Sequence, residues 1–216
     1  IFAQVSIFEK ERILRKMEDV APVLSDMYSH RKENNKEGDK IVQDAIDSAF
    51  GVLRFNSGVI GQISFSDTSH GQNLGISTIT GSEGTLYRSS SRSGKSPRIV
   101  FSDGKEMTGD KLFELVPSFS LDDDTSKIWD GVDKLSNYSH EFHLIDAKIL
   151  AFQYLDFYRS IINNKKPEVG FNEGIEALGL AYGLIESGLK GKLIKLDDVI
   201  SGKEDIYQRE INEKYL

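Results

Sequence analysis

The chain has 216 residues, 38% of them hydrophobic and 28% charged, and a formal net charge of −7. This composition is typical of a soluble globular protein with one large domain or two small ones. The negative charge argues against nucleic acid or an anionic membrane as the main partner, and no apolar run reaches the roughly 18 residues of a transmembrane helix. Without cysteine the chain has no disulfide and no thiolate metal site, which favours a cytoplasmic location.

The first eight residues, IFAQVSIF, alternate in the manner of a β-strand. Because the chain opens with Ile and inside a strand, we expect it to be a piece of a longer protein. Residues 11–27 carry apolar side chains at helical intervals, although Pro22 would interrupt a helix there. Polar residues dominate the segment 29–40, which we predict to be a flexible loop.

Residues 44–88 are predicted to form four strands whose short connections require antiparallel neighbours. The predicted strands are 44–55, 59–66, 74–80 and 85–88. Asn56-Ser57-Gly58 is a hairpin turn signal. One strand face is large and apolar, and the other is rich in Ser, Thr, Gln and Gly. The expected fold is therefore α+β, a mainly antiparallel open sheet with helices packed on one face and a semi-polar face left open.

The second half of the chain alternates irregular and helical segments. Residues 89–98 form a basic, serine-rich stretch that we predict to be a second flexible loop, and residues 103–140 have no clean period and are predicted to be an insertion. Apolar residues then keep a 3.6-residue period over 144–162, which predicts a helix of five turns. Residues 202–216 are predicted to be a polar C-terminal tail with apolar residues spaced for docking.

The stretch 172–196, NEGIEALGLAYGLIESGLKGKLIKL, predicts an amphipathic helix followed by a short strand at 192–196. Asn172 is the expected N-cap and Gly188 the expected stop. Gly179 and Gly183 lie four residues apart on one side of the helix. Each costs roughly 1 kcal/mol relative to Ala in a helix interior, so we predict that both allow close packing.

Several of these elements together resemble a known family. The resemblance rests on the predicted strands of 44–84, on the helix before Lys165-Lys166-Pro167, and on the motifs E-G-x-E-A-L-x-L-A-Y-x-L-I-E-S-G and G-K-L-I-K-L that follow it. This pattern resembles the C-terminal domain of the glucose-fructose oxidoreductase/inositol dehydrogenase (Gfo/Idh/MocA) family. The resemblance implies a dihydrodipicolinate-reductase-like C-terminal fold, with the N-terminal Rossmann domain absent from this chain. It also implies NAD or NADP in the complete protein, with none bound by this fragment alone.

Searches for catalytic signatures nominate no residue of this chain. The sequence has neither the G-x-G-x-x-G of a dinucleotide site nor the G-x-S-x-G of a hydrolase elbow. Ser93-Gly94-Lys95-Ser96 lacks the first glycine of a phosphate loop, because position 89 is Ser. His140 and His143 lack a third metal ligand in register. In the family the catalytic Lys and the Asp/His pair precede the part found here, so the fragment alone is expected to be inactive, with no catalytic and no metal residue.

The resemblance points to one loop as a substrate site. In sugar and polyol members, the turn before the strand ending in G-x-x-G carries side chains that face the substrate. Here the corresponding loop offers His70, Gln72 and Asn73, whose donors and acceptors suit hydroxyl groups. The alternative for each of the three is a polar loop residue in water.

We therefore expect the whole chain, residues 1–216, to be the substrate-binding and oligomerisation domain of an NAD(P)-dependent oxidoreductase acting on a sugar, polyol or related hydroxy compound. The resemblance implies a homo-oligomer formed through the open sheet face, and the strand pattern places Ser64, Ser66, Thr78 and Thr80 on that face. The alternative is that this face is solvated. One alternative is a non-catalytic α+β ligand-binding or dimerisation module. Another is a regulatory domain that binds an anion through Arg92 and Lys95.

Overall fold

A computed structural model describes residues 1–14, 38–69 and 75–215 of the chain. The chain divides into two compact units. The first unit contains Ile1–Gln72 and Glu168–Leu216, and the second contains Asn73–Pro167. Among the described residues no helix combines the length and the apolar character needed to cross a membrane. The assignment of one functional role to the whole chain stays a prediction.

The first unit begins with strands that pair in antiparallel fashion. They are β1 (Phe2–Ser6), β2 (Glu11–Ile13), β3 (Lys40–Val42), β4 (Ser48–Arg54) and β5 (Ile60–Ser66). Their sheets have the orders β1-β4-β5 and β2-β3. The predicted hairpin is confirmed, since β4 and β5 pair over their full length around the turn at Gly58.

The predicted helix over 11–27 is wrong at its start. Glu11–Ile13 is a strand because it pairs with Lys40–Val42, a partner distant in the sequence. The remainder of that helix prediction, from residue 15, lies outside the described residues, as does most of the predicted loop 29–40.

The second unit contains a four-stranded antiparallel sheet with the order β6-β7-β8-β9. Its elements are β6 (Ser77–Gly81), β7 (Gly84–Arg88), β8 (Arg98–Phe101), β9 (Glu106–Thr108), a 3₁₀ helix (Gly109–Glu114), α1 (Asp123–Ile128) and α2 (Phe142–Ile162). The predicted long helix over 144–162 is confirmed as α2. The predicted insertion 103–140 contains β9, the 3₁₀ helix and α1.

The expected run of four paired strands needs a correction, because β5 and β6 belong to different sheets. Tight turns enforce pairing within β4–β5 and within β6–β7, whereas ten residues separate β5 from β6. Without a tight turn the local sequence does not fix a pairing. The mixed α/β architecture with antiparallel sheets is nonetheless the predicted one.

The first unit is completed by three helices, α3 (Phe171–Lys190), α4 (Leu196–Ile200) and α5 (Ile206–Tyr215). Helix α3 begins before and ends after the residues predicted from the sequence. The helix begins one residue before Asn172, because the Glu173 carboxylate accepts a hydrogen bond of 2.9 Å from the backbone N–H of Gly170. It continues through Gly188 and ends before Gly191, whose φ of 63° is the left-handed conformation of a helix stop.

The segment after α3 is not the predicted strand. Ile194 exchanges two backbone hydrogen bonds of 2.9 Å with Ile1, and the chain then enters α4 at Leu196. The two hydrogen bonds fix the segment beside the start of β1. They tie the C-terminal part of the first unit to its N-terminal strand.

Helix α3 packs on the β1-β4-β5 sheet through small residues. Ala3, Leu53 and Leu184 form the buried core there. A Cβ added at Gly51 would lie 2.4 Å from Leu184 Cδ2, so the helix and sheet approach closely at that point. Close packing at Gly179 and Gly183 is confirmed, since an added Cβ at these positions would lie within 3 Å of side chains of Ile200 or Ile1, respectively.

The open face of this sheet carries the polar residues that were predicted for it and large apolar residues as well. Facing away from α3, the strands carry large apolar side chains: Phe2, Phe50, Val52 and Ile60, whose exposed fractions run from 44% to 71%. Gln4, Gln62 and Ser64 alternate with them. The open face is therefore semi-polar with exposed apolar side chains among the polar ones.

Candidate functional site

The three predicted substrate residues, His70, Gln72 and Asn73, lie outside the described residues. The structure does describe the base of their loop. Strand β5 ends at Ser66, and Thr68 and Ser69 lead into the loop. These residues are the described part of the chain that directly precedes His70 in the sequence.

Three hydroxyl side chains meet at the loop base. Ser48 starts β4 and Ser66 ends β5, and the hairpin register places them opposite each other. Their Oγ atoms lie 2.9 Å apart, and Thr68 Oγ1 lies 3.0 Å from Ser66 Oγ and 3.3 Å from Ser48 Oγ. The backbone N–H of Thr68 also donates to Ser66 Oγ. We call Ser48, Ser66 and Thr68 the hydroxyl cluster.

The hydroxyl cluster adjoins a carboxylate that is shielded from water. Asp47 is 1% exposed, and its two oxygens accept hydrogen bonds of 3.0 Å from the backbone N–H groups of Phe8 and Glu9. Ser48 is the next residue in the chain, and a terminal nitrogen of Arg12 lies 3.9 Å from the Asp47 carboxylate. A continuous polar path thus connects the turn after β1 to the base of the predicted loop.

The pKa of Asp47 lies below its ordinary value. Burial alone would raise it, but the hydrogen bonds from Glu9, Phe8 and Ser48 and the charge of Arg12 together outweigh burial. Asp47 is therefore ionised at neutral pH. Its carboxylate is buried and both oxygens accept hydrogen bonds, so it fixes the backbone of Phe8 and Glu9.

Sequence reasoning did not assign the hydroxyl cluster a role in binding. Ser66 lies on the open face as expected, where it is partly buried and hydrogen-bonded within the cluster. The expectation that Thr78 and Thr80 share that face is wrong, because both lie on β6 in the sheet of the second unit. The turn centred on Ser57 pairs positions 48 and 66, so the hairpin register was the signal that could have found the Ser48–Ser66 contact. The burial of Asp47 had no such local signal, because its partners come from the turn after β1.

In the second unit, Arg92 of the anion-binding hypothesis and His140 of the metal-site search each contact an acidic side chain. Arg92 forms an ion pair with Asp146, with Nε and Oδ1 2.8 Å apart, so part of the positive charge of the anion-binding hypothesis is already balanced within the unit. His140 lies 3.4 Å from an oxygen of Asp130. Within residues 1–14, 38–69 and 75–215, no three side chains form a cluster able to hold a metal ion.

Comparisons with known proteins identify the family. The family described as the oxidoreductase family, C-terminal alpha/beta domain (Gfo/Idh/MocA) matches residues 17–196, which is most of the chain. Searches of the curated proteins and of the solved structures returned no match. The match covers β3 to α3 and includes the hydroxyl cluster at the end of the β4–β5 hairpin. The chain therefore belongs to the Gfo/Idh/MocA oxidoreductase family and represents its C-terminal α/β domain.

Proposed function

We propose that this domain binds substrate and joins subunits in an NAD(P)-dependent oxidoreductase acting on a sugar, polyol or related hydroxy compound. The observation that carries the proposal is the hydroxyl cluster at the base of the predicted substrate loop. Hydroxyl groups both donate and accept hydrogen bonds, so they are complementary to the hydroxyls of a polyol. Family membership supplies the redox context.

The part this chain plays in the reaction is binding and orientation. Its sequence contains no Gly-rich turn of the dinucleotide-binding type, so its own residues do not fit a nicotinamide cofactor. Bound elsewhere in the complete protein, a nicotinamide cofactor would supply the hydride acceptor for the carbinol carbon of the substrate. The loop after Ser66 then holds the hydroxyls of the substrate so that one carbinol carbon is presented in a fixed geometry.

The open face of the β1-β4-β5 sheet supports the oligomeric part of the proposal. Phe2, Phe50 and Val52 are each close to half exposed there, and polar Gln and Ser side chains lie between and beside them. Exposed aromatic residues with a polar surround are typical of subunit interfaces. We propose that a second copy of the chain covers this face.

Turnover by the natural gene product tests the enzymatic proposal. The protein is incubated with NAD⁺ or NADP⁺ and with myo-inositol, glucose and other polyols, and the formation of reduced cofactor is followed by absorbance. We expect one of these compounds to be oxidised. Binding of a polyol without turnover would favour the non-catalytic module. The absence of both binding and turnover would contradict the proposal.

A further inference from the structure

A cavity of about 270 Å³ lies between α3 and the two helices that follow it in the first unit. One wall is a single side of α3, which carries Ile175, Leu178, Tyr182 and Glu186. The other wall consists of the end of α4, the connection to α5 and the first turn of α5. The members of the hydroxyl cluster do not line this cavity, so it is a separate feature of the domain.

The walls of the cavity are fixed by contacts of α3 with its neighbours. An added Cβ at Gly179 would lie 2.9 Å from Ile200 Cγ1, so α3 and α4 approach closely there. The Glu186 carboxylate of α3 accepts hydrogen bonds from the first two backbone N–H groups of α5. Lys190 of α3 donates to Glu204 in the connection between α4 and α5. The cavity is therefore preformed, as small-molecule sites usually are.

Towards the N-terminal half of α3 the cavity is apolar. Ile175, Leu178, Val199 and Ile200 line it, and the side chains of Leu178 and Ile200 are exposed. A ligand with an apolar body would remove that surface from water, which is favourable. Because a cavity of about 150 Å³ holds benzene, this one has room for roughly ten non-hydrogen atoms.

Towards the C-terminal half of α3 the cavity is acidic. Glu186, Glu204 and Asp205 line it, and its described lining includes no Lys, Arg or His. Glu186 is buried and forms no ion pair with a described residue, so backbone N–H groups alone face its charge. Asp205 pairs with Arg209 through Oδ1, and its side chain is still 33% exposed. Asp205 is therefore the carboxylate that a ligand can contact, whereas Glu186 acts through its charge.

We propose that this cavity binds a small organic cation, an ammonium group on an apolar body of up to roughly ten non-hydrogen atoms. The ammonium group lies beside Asp205, and the apolar body covers Leu178 and Ile200. An anion of the same shape is rejected, because it would lie next to carboxylates of the same sign. The inference goes beyond the proposed function, since it assigns the domain a ligand other than the polyol.

Matched probes on the unmodified natural gene product test the charge preference. Cyclohexylmethylamine, cyclohexylmethanol and cyclohexanecarboxylate share one apolar ring and end in a cation, a neutral group and an anion. Isothermal titration calorimetry at neutral pH and about 0.15 M salt measures the dissociation constant of each. We expect the amine to bind about 10- to 100-fold more tightly than the alcohol, the range for a hydrogen bond to a charged group, and the carboxylate not to bind. Equal binding of amine and alcohol, binding of the carboxylate, or no binding of the amine would overturn the inference.

Methylammonium separates the cavity from the general negative charge of the chain. It carries the same charge without the apolar ring, so we expect it to bind at least about 100-fold more weakly than cyclohexylmethylamine. If the two cations bind equally well, the attraction is not specific to the cavity and the inference fails.

Variants connect the binding to the residues of the cavity. Asp205→Asn removes the contacting charge at nearly constant shape, and it should weaken binding of the amine about 10-fold or more while leaving the alcohol unchanged. Asp197→Asn, the same change at an exposed residue of α4 outside the cavity, is the control and should leave both unchanged. Leu178→Ala should weaken the amine and the alcohol alike, by about 3- to 10-fold.

Equal effects of Asp205→Asn and Asp197→Asn would overturn the assignment of the cation to this cavity. If Asp205→Asn does not fold, the probe series on the wild type and on Leu178→Ala decides. None of these measurements uses polyol turnover, so failure of this inference and failure of the proposed function are observed separately.

Discussion

The buried carboxylates of the first unit each have their charge matched by nearby donors. Asp47 accepts from two backbone N–H groups, and Glu186 accepts from those of Ile206 and Tyr207 at 2.9 and 2.8 Å. Glu204 accepts from Lys190 and from Lys192. Because a buried charge without such partners is costly, each carboxylate fixes the segment that supplies its donors. Glu186 in particular fixes the start of α5 on α3.

Replacing Glu186 should destabilise the chain. In Glu186→Gln the amide NH₂ would face a backbone N–H of α5, which leaves a buried donor without an acceptor. We expect the free energy of unfolding in urea to fall by about 1–3 kcal/mol. Glu210→Gln, a change at an exposed position of α5, is the control and should lower the free energy of unfolding by less than about 0.5 kcal/mol. Equal effects of the two variants would contradict a capping role for Glu186.

Acid should weaken the first unit through Asp47 and Glu204. The pKa of Glu204 lies below its ordinary value, chiefly because of the hydrogen bond from Lys190 and then that from Lys192. A carboxyl whose pKa is lower in the folded chain contributes stability above its unfolded pKa, and that stability is lost as the pH falls through the folded pKa. We expect the free energy of unfolding to decline below about pH 4. Glu204→Gln should flatten this decline, and an unchanged pH profile would contradict the assignment.

At the scale of elements, the chain relies on small residues where α3 meets its neighbours. Gly179, Gly183 and Gly188 each lie where an added Cβ would come within 3 Å of another side chain. Gly188 is the most constrained of the three, because its added Cβ would also lie 3.0 Å from the backbone nitrogen of Val5. Backbone is displaced less readily than the end of a side chain.

Alanine substitutions along α3 should therefore have opposite signs. Gly188→Ala should lower the free energy of unfolding by about 1–3 kcal/mol, because overpacking against β1 outweighs the gain in helix propensity. Gly174→Ala is the matched control, since nothing lies within 4 Å of an added Cβ there, and it should stabilise the chain by about 0.5–1 kcal/mol. Thermal unfolding of both variants measures the difference. A stabilising effect of Gly188→Ala would contradict the close contact.

The elements that the sequence predicts correctly have local signals. The β4–β5 hairpin has its turn at Asn56-Ser57-Gly58, and α2 has its 3.6-residue period. Features that depend on distant partners were missed, such as the pairing of Glu11–Ile13 with β3 and the passage of α3 through Gly188. The hydroxyl cluster belongs between these cases. Its hairpin register is local, whereas the contacts of neighbouring Asp47 with the turn after β1 are tertiary.

At the scale of the whole molecule, the domain has two surfaces with different roles in the proposal. The end of the β4–β5 hairpin presents the hydroxyl cluster to substrate, and the open face of the same sheet presents Phe2, Phe50 and Val52 to a second copy. Both depend on the register of the β1-β4-β5 sheet. Helix α3 packs against the opposite face of that sheet.

A charge on the open face should separate the subunits. Phe50→Arg combined with Ser64→Arg places two cations at neighbouring positions of β4 and β5, and desolvating unpaired charges at an interface is unfavourable. We expect sedimentation to show a shift from oligomer to monomer. Glu210→Arg, an exposed change on α5, is the control and should leave the mass unchanged. If the double variant keeps the wild-type mass, the interface lies elsewhere.

The central claim, that this domain serves an oxidoreductase acting on a carbinol carbon, is tested most directly by isotope transfer. The natural gene product is incubated with NAD⁺ or NADP⁺ and with a polyol deuterated at its carbinol carbons, and the reduced cofactor is analysed by mass spectrometry. The account predicts that the reduced nicotinamide carries the deuterium. Reduced cofactor without deuterium, or no reduced cofactor from any polyol that the protein binds, would contradict it.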